Sequence, residues 1–252
     1  MLTVSDPENH VVRRITAPGS AGLHRISWDL RFPSSTPIRS AGSENRERFE
    51  SGPLAVPGPY QVTLSQYARG AFKTLAGPVS FMTEPTGTAT LPAADRDALL
   101  AFQRKTARLQ RAVLGAVNAM EEAGNRVALI KKAIMDTPVS EMDLFARARD
   151  LEIRLAEIRT SLMGDATVSS RNEPVLPGIR SRVQEIVSGQ IASTSAPTLT
   201  QEENYRIAAV GFEKVLDELS RLIRENLAAL ESRLEEINAP WTPGRIPVWQ
   251  PE

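Results

Sequence analysis

The chain has 252 residues, with 30 Lys+Arg against 30 Asp+Glu, two His and no Cys. Zero net charge argues against a general nucleic-acid binder, which needs a basic field. The missing thiols exclude disulfides and thiolate metal sites, and no apolar run approaches the roughly 18 residues of a membrane span. Met1–Asp6 has neither the basic nor the apolar region of a signal peptide.

Residues 1 to about 85 read as β. Met1–Ser5 is apolar and β-prone, Asp6-Pro7-Glu8-Asn9 is a turn, and His10–Thr16 is a second short strand. Ala17-Pro18-Gly19-Ser20 turns the chain into its most regular stretch. There His24, Ile26, Trp28 and Leu30 alternate with Leu23, Arg25, Ser27 and Asp29. A side-chain period of two predicts one strand with Ile26, Trp28 and Leu30 facing a core, opened by Gly22 and stopped by Pro33. Arg31–Pro53, rich in Ser, Pro, Arg and Glu, reads as a long surface loop. After Pro57-Gly58-Pro59, Tyr60, Val62 and Leu64 share a face of a strand at 60–65. Gln66–Lys73 and Gly77–Thr83 complete a small sandwich.

Behind the polar stretch Glu84–Pro92 the apolar period changes from two to about 3.5. Leu99, Phe102, Thr106, Leu109, Val113, Ala116, Met120, Ala123, Val127, Ile130 and Ile134 form one seam. It predicts a helix over 93–136, on the order of 65 Å long. Thr137 is a suitable N-cap and Pro138 a suitable first-turn residue for the next helix. That helix carries Leu144, Ala148, Leu151, Leu155, Ile158 and Leu162 to Met163. Gly164–Gly178 is a loop, and Ile179, Val183 and Ile186 mark a short helix over 179–189. Thr200-Gln201-Glu202-Glu203 has the pattern of a capping box. It opens a helix to Asn238 along Phe212, Leu216, Leu219, Ile223, Leu227, Leu230, Leu234 and Ile237. Short connections between long helices imply an antiparallel three- or four-helix bundle. The fold class is therefore α+β: a β-sandwich over 1–85, a linker over 86–92, a helical bundle over 93–238, and a Pro/Trp-rich tail over 239–252.

Three runs carry a resemblance to a known family: Val11-Val12-Arg13-Arg14-Ile15, then Ala21-Gly22-Leu23-His24-Arg25-Ile26-Ser27-Trp28-Asp29-Leu30-Arg31, then Pro57-Gly58-Pro59-Tyr60-Gln61-Val62. With the helical half and the tail Ala-Pro-Trp-Thr-Pro-Gly-Arg, they resemble the C-terminal region of bacterial sortilin-like, BNR-repeat β-propeller proteins, often named glycosyl hydrolases. The Gly-x-His-x-Ile-x-Trp-Asp run also resembles the Ig-like module of flagellar hook-capping proteins. The resemblance implies an Ig-like sandwich lacking its first strand, and hence an open sheet edge. It further implies a periplasmic or secreted setting and a β-propeller domain or subunit as partner. The propeller, where that family's catalytic residues are expected, is absent, which marks the chain as a C-terminal fragment, a split product or a separate subunit.

The chemistry-bearing residues are sparse. His24 and Asp29 lie five apart on the expected strand and face opposite sides, so they form no local dyad. His10 reads as a turn residue, and no motif gathers carboxylates for a metal. No catalytic, cofactor or metal residue is assigned, and no cofactor is implied. Trp28 shares the phase of Ile26 and Leu30, which makes core packing the stronger reading over a sugar platform. Trp241, Trp249 and Arg245 in the tail are the interaction candidates, with docking on the chain's own bundle the leading reading for the two rings. Surplus apolar seam on the long helices would form an oligomer interface. The expected function is a non-catalytic accessory, scaffold or protein-interaction module. The alternatives are an enzyme-associated part of a glycosyl hydrolase and a self-assembling structural protein.

Overall fold

The computed structural model describes residues 1–38, 51–138 and 142–249. The protein is α+β, an antiparallel sheet followed by long helices. The strands are β1 (Leu2–Ser5), β2 (Val11–Ile15), β3 (Arg31–Pro33), β4 (Ser51–Leu54), β5 (Gly58–Ala68) and β6 (Ala71–Thr83). The helices are α1 (Arg96–Met135), α2 (Met142–Met163), α3 (Ala166–Ser169), α4 (Ile179–Gln190), α5 (Leu199–Arg221) and α6 (Ala228–Glu236), with a π-helical turn at Leu222–Leu227. Two compact units are present. One comprises Met1–Arg108 with Ile186–Gln201, the other Leu109–Glu185 with Glu202–Glu252.

In the first unit the main sheet has the order β2-β1-β5-β6, and β3 pairs with β4. β1 is internal, with neighbours on both sides; among the described residues β6 is the long edge strand. Val4, Val12 and Tyr60 form the buried core, and Trp28, Phe32, Ala55 and Phe81 pack against it. Trp28 meets Tyr60 edge-on at 5.3 Å and Phe81 at 6.2 Å, and its indole N–H donates to the Arg31 carbonyl at 3.1 Å. The Tyr60 hydroxyl donates to the Val56 carbonyl at 2.6 Å. Burial, with the Asp6 charge adding to it, pushes the Tyr60 phenol above its ordinary value. The guanidinium of Arg104 covers the Phe32 ring at 4.4 Å.

The stretch Leu23–Leu30 is not a ladder strand, contrary to its alternation. Ile26 and Trp28 are half-buried as expected, but Leu30 is 43% exposed and has φ 58°, in the left-handed region. The Asp29 carboxylate accepts the Arg31 N–H at 3.1 Å, and the Leu30 carbonyl accepts the Ala55 N–H at 2.8 Å. This Asx turn bends the chain before strand pairing begins at Arg31. Of the loop expected over Arg31–Pro53, residues 39–50 lie outside the described residues. Arg31–Pro33 and Ser51–Leu54 pair as strands, because Gly52 lets the β3 carbonyls come close; a Cβ there would run into the Pro33 carbonyl. Gln66–Lys73 is no separate strand. It is the end of a continuous β5–β6 hairpin turning at Arg69-Gly70.

The helical seams follow the periodicity. On α1, Leu99, Phe102, Thr106, Val113, Ala116, Met120, Ala123, Val127, Ile130 and Ile134 are buried, while Leu109 is half-buried. On α2 all six expected seam residues are buried. Thr137 does not open α2. Its hydroxyl donates to the Ala133 carbonyl at 2.7 Å, so it finishes α1. The capping box lies two residues earlier than the sequence pattern placed it. The Thr198 hydroxyl accepts the Gln201 N–H at 3.2 Å and the Gln201 side chain accepts the Thr198 N–H at 3.1 Å, so α5 begins at Leu199. Gly164–Gly178 contains one helical turn, α3, capped by Asp165.

In the second unit, Lys131–Glu152 (2.9 Å), Arg126–Glu231 (2.6 Å) and Arg182–Asn204 (2.7 Å) link α1 to α2, α1 to α6, and α4 to α5. The Lys131 and Arg149 hydrogen bonds hold the Glu152 carboxyl below its usual range. The expected stripe of the last long helix fails at its centre. Leu219, Leu222, Leu227, Leu230 and Leu234 are buried, whereas Leu216 is 40% exposed and Ile223 half-buried. The step of five from Leu222 to Leu227 is the π turn, which holds one residue more than α spacing would. Leu222→Ala should therefore cost about 2–5 kcal/mol in urea unfolding, and Ile223→Ala about 1 kcal/mol or less. Equal losses would mean that the turn does not shift the seam.

Candidate functional site

The tail is the first place to look, because the sequence sets its chemistry apart. α6 presents Glu231 and Glu235 four residues apart, hence on one face. Carboxylates near a helix C-terminus oppose the macrodipole and call for cations. Each has one. Arg126 makes a forked contact with Glu231, its Nε at 2.9 Å and Nη2 at 2.6 Å from Oε1. Arg245 does the same for Glu235, at 3.1 Å and 2.6 Å to Oε2. Arg245 is only 8% exposed. Its remaining donors reach the Pro240 and Ala239 carbonyls, both at 3.0 Å, and the Val248 N–H donates to Glu235 Oε1 at 2.9 Å. Gly244 has φ +97°, and a Cβ there would press on the Arg126 guanidinium at 2.5 Å. Only glycine lets the tail cross that arginine at this angle.

Of the three candidate residues, Arg245 is thus the tail's anchor. Trp241 donates its indole N–H to the Arg245 carbonyl at 3.0 Å while 59% exposed, and Trp249 is 79% exposed. Neither ring is covered by the bundle, because the polar anchor holds the tail by its backbone and guanidinium. An open groove of about 580 Å³ lies between α6 and the tail, with Glu231, Glu235, Glu236, Arg245, Ile246 and Val248 on its walls. Its acids are engaged: besides the two pairs above, Glu236 meets Arg233 at 2.6 Å.

The second place is the β5–β6 hairpin, which the sequence reading did not single out as a site. β6 is exposed along almost its whole length. Phe72 (61%), Leu75 (53%), Val79 (59%) and Met82 (62%) project from it, with Tyr67 (64%) facing Phe72 at 4.8 Å between ring centroids. A signal was available. Arg69-Gly70 between the β-prone runs ending at Ala68 and beginning at Ala71 has the pattern of a two-residue hairpin turn.

The remaining candidates are local. His24 Nε2 lies 2.9 Å from the Ser20 carbonyl, and Asp29 accepts the Ser51 hydroxyl at 3.0 Å. Asp6, Glu8 and His10 bring potential metal-ligating atoms within 4.8 Å of one another on the β1–β2 turn. There Asp6 already accepts the His10 N–H at 2.8 Å and faces the imidazole Nδ1 at 3.2 Å. Among the described residues no helix is long and apolar enough to cross a membrane. Comparison with family models, with curated proteins and with solved structures gave no match.

The Val248 and Arg245 hydrogen bonds hold the Glu235 carboxyl below its usual range. A folded-state pKa below the unfolded one stabilises at pH above the ordinary carboxylate value and is lost as pH falls through the lowered one. The hydrogen-exchange protection of the Val248 amide should therefore be full at neutral pH and fall under acid conditions. Glu235→Gln should reduce it already at neutral pH and flatten the acid dependence. An unchanged profile in that variant would show that the tail is held by other contacts.

Proposed function

We propose that the chain is a non-catalytic interaction and scaffold module, the C-terminal part of a propeller-containing exported protein of the kind its motifs resemble. The observation that carries this reading is the exposed β5–β6 hairpin, an apolar and aromatic surface on a strand with a free edge. Exposed apolar side chains beside an unpaired strand edge mark interaction sites on folded domains. The tail chemistry supports the same reading. Glu231, Glu235 and Glu236 are the acids sharing a groove, and each is tied to an arginine. Glycoside hydrolysis needs two carboxylates free to act across a cleft.

The isolated chain should leave chromogenic glycosides intact at acid and neutral pH, and should co-elute on size exclusion with a β-propeller subunit encoded beside it. Turnover abolished by Glu231→Gln or Glu235→Gln would overturn the non-catalytic reading. Independent migration of chain and propeller at high concentration would overturn the partnership.

A further inference from the structure

We propose that the open edge of β6 is a strand-addition site for an extended, acid-bearing segment of a partner protein. The inference rests on the interaction-module reading and names the chemistry of the partner.

The direction of the backbone groups comes first. Ala68 and Ala71 flank the two-residue turn Arg69-Gly70, whose φ values are 53° and 81°. Such a turn closes on a hydrogen-bonded pair, so Ala68–Ala71 is bonded across the hairpin. Alternation then makes Tyr67–Phe72 and Ser65–Thr74 non-bonded pairs whose N–H and C=O groups point away from each other. Ser65 independently confirms the phase. Its N–H donates to the Met1 carbonyl at 2.9 Å, and its carbonyl accepts the Met1 amino group at 2.8 Å, both on the side away from β6. Phe72 and Thr74 therefore turn their backbone groups outward. From Met1–Ser65 the same alternation makes Thr3–Thr63 and Ser5–Gln61 bonded on the β1 side, and Val62–Val79 and Tyr60–Phe81 bonded on the β6 side. Ser80 and Met82 then also point outward. β6 has no further strand beside it among the described residues.

The edge thus offers two short ladders, at Phe72–Thr74 and Ser80–Met82, separated by the register shift around Gly77-Pro78. The natural complement of a ladder is another strand, and apolar side chains at alternate positions of that strand would lie beside Phe72, on the face opposite Lys73. Charge narrows the partner. Residues 58–83 hold Arg69 and Lys73 and no acidic residue, so an added strand gains by placing a carboxylate beside Lys73. The same lysine works against a second copy of this chain, because two β6 edges pairing about a two-fold axis near Thr74 bring both Lys73 ammoniums together. A hydrocarbon surface fits less well, since it would leave the outward N–H and C=O groups unpaired.

The test uses the full chain and a labelled peptide of alternating Glu with Val or Tyr, read by fluorescence anisotropy, beside the same peptide with Lys in place of Glu. The Glu peptide should bind about tenfold more tightly or better. Lys73→Glu should reverse the preference, and Thr74→Pro should abolish binding with an unchanged melting curve. If Thr74→Pro does not fold, Lys73→Glu decides alone. Equal binding of the two peptides, or a preference untouched by Lys73→Glu, overturns the proposal. So does binding to phosphatidylserine vesicles without peptide binding, or a dimer that Lys73→Glu strengthens. Peptide failure with the propeller still co-eluting sinks this inference and leaves the module reading standing; peptide binding without propeller co-elution does the reverse.

Discussion

The sheet of this protein depends on one aromatic contact. Among the described residues its buried hydrophobic core is Val4, Val12 and Tyr60, which is little apolar area for a β-structure of this length. Trp28 closes that core from outside the ladders, edge-on to Tyr60 and Phe81. The indole is fixed by the Arg31 carbonyl and the phenol by the Val56 carbonyl, so the rings sit where their polar ends are satisfied. The pairing of β3 with β4 begins immediately after the bend that positions Trp28. The packing is concentrated on the rows around Tyr60 and Phe81, which leaves the turn half of the β5–β6 hairpin exposed.

The two halves of the molecule were legible to different degrees, for physical reasons. Helical seams are local and redundant, and α1 and α2 could be read residue by residue because each buried position is supported by others three and four away. The failures came where one residue changes the phase. The π turn puts Leu222 where Ile223 was expected. Leu30, in a left-handed conformation, ends the alternation that Trp28 had set. Thr137 and Thr198 show a related ambiguity. A threonine at a helix boundary can satisfy the helix behind it or the helix ahead, and only the geometry of the turn decides.

The candidate site was legible in its ingredients more than in its arrangement. Arg245 stood out in the tail beside Trp241 and Trp249, but its partner Glu235 is an ordinary helical glutamate until the chain returns to it. The exposed hairpin was hidden for the opposite reason. Tyr67, Phe72, Leu75 and Val79 look like core residues in sequence, since large apolar side chains in β-prone runs are usually buried. That they are uncovered becomes visible only once β6 is seen to be the last strand.

The π turn at Leu222–Leu227 has a bearing on how this sequence can vary. Such a turn is an α-helix carrying one surplus residue, and the surplus is accommodated on the outer face, where Arg224, Glu225 and Asn226 are exposed. Loss of a single codon there would restore ordinary winding and turn the step of five between Leu222 and Leu227 into a step of four, so that everything beyond keeps its face. The Glu231 and Glu235 carboxylates would then still face Arg126 and Arg245. A one-residue deletion is thus tolerated within this turn, whereas the same loss in the regular winding on either side would rotate the helix beyond it by about 100° and part both pairs.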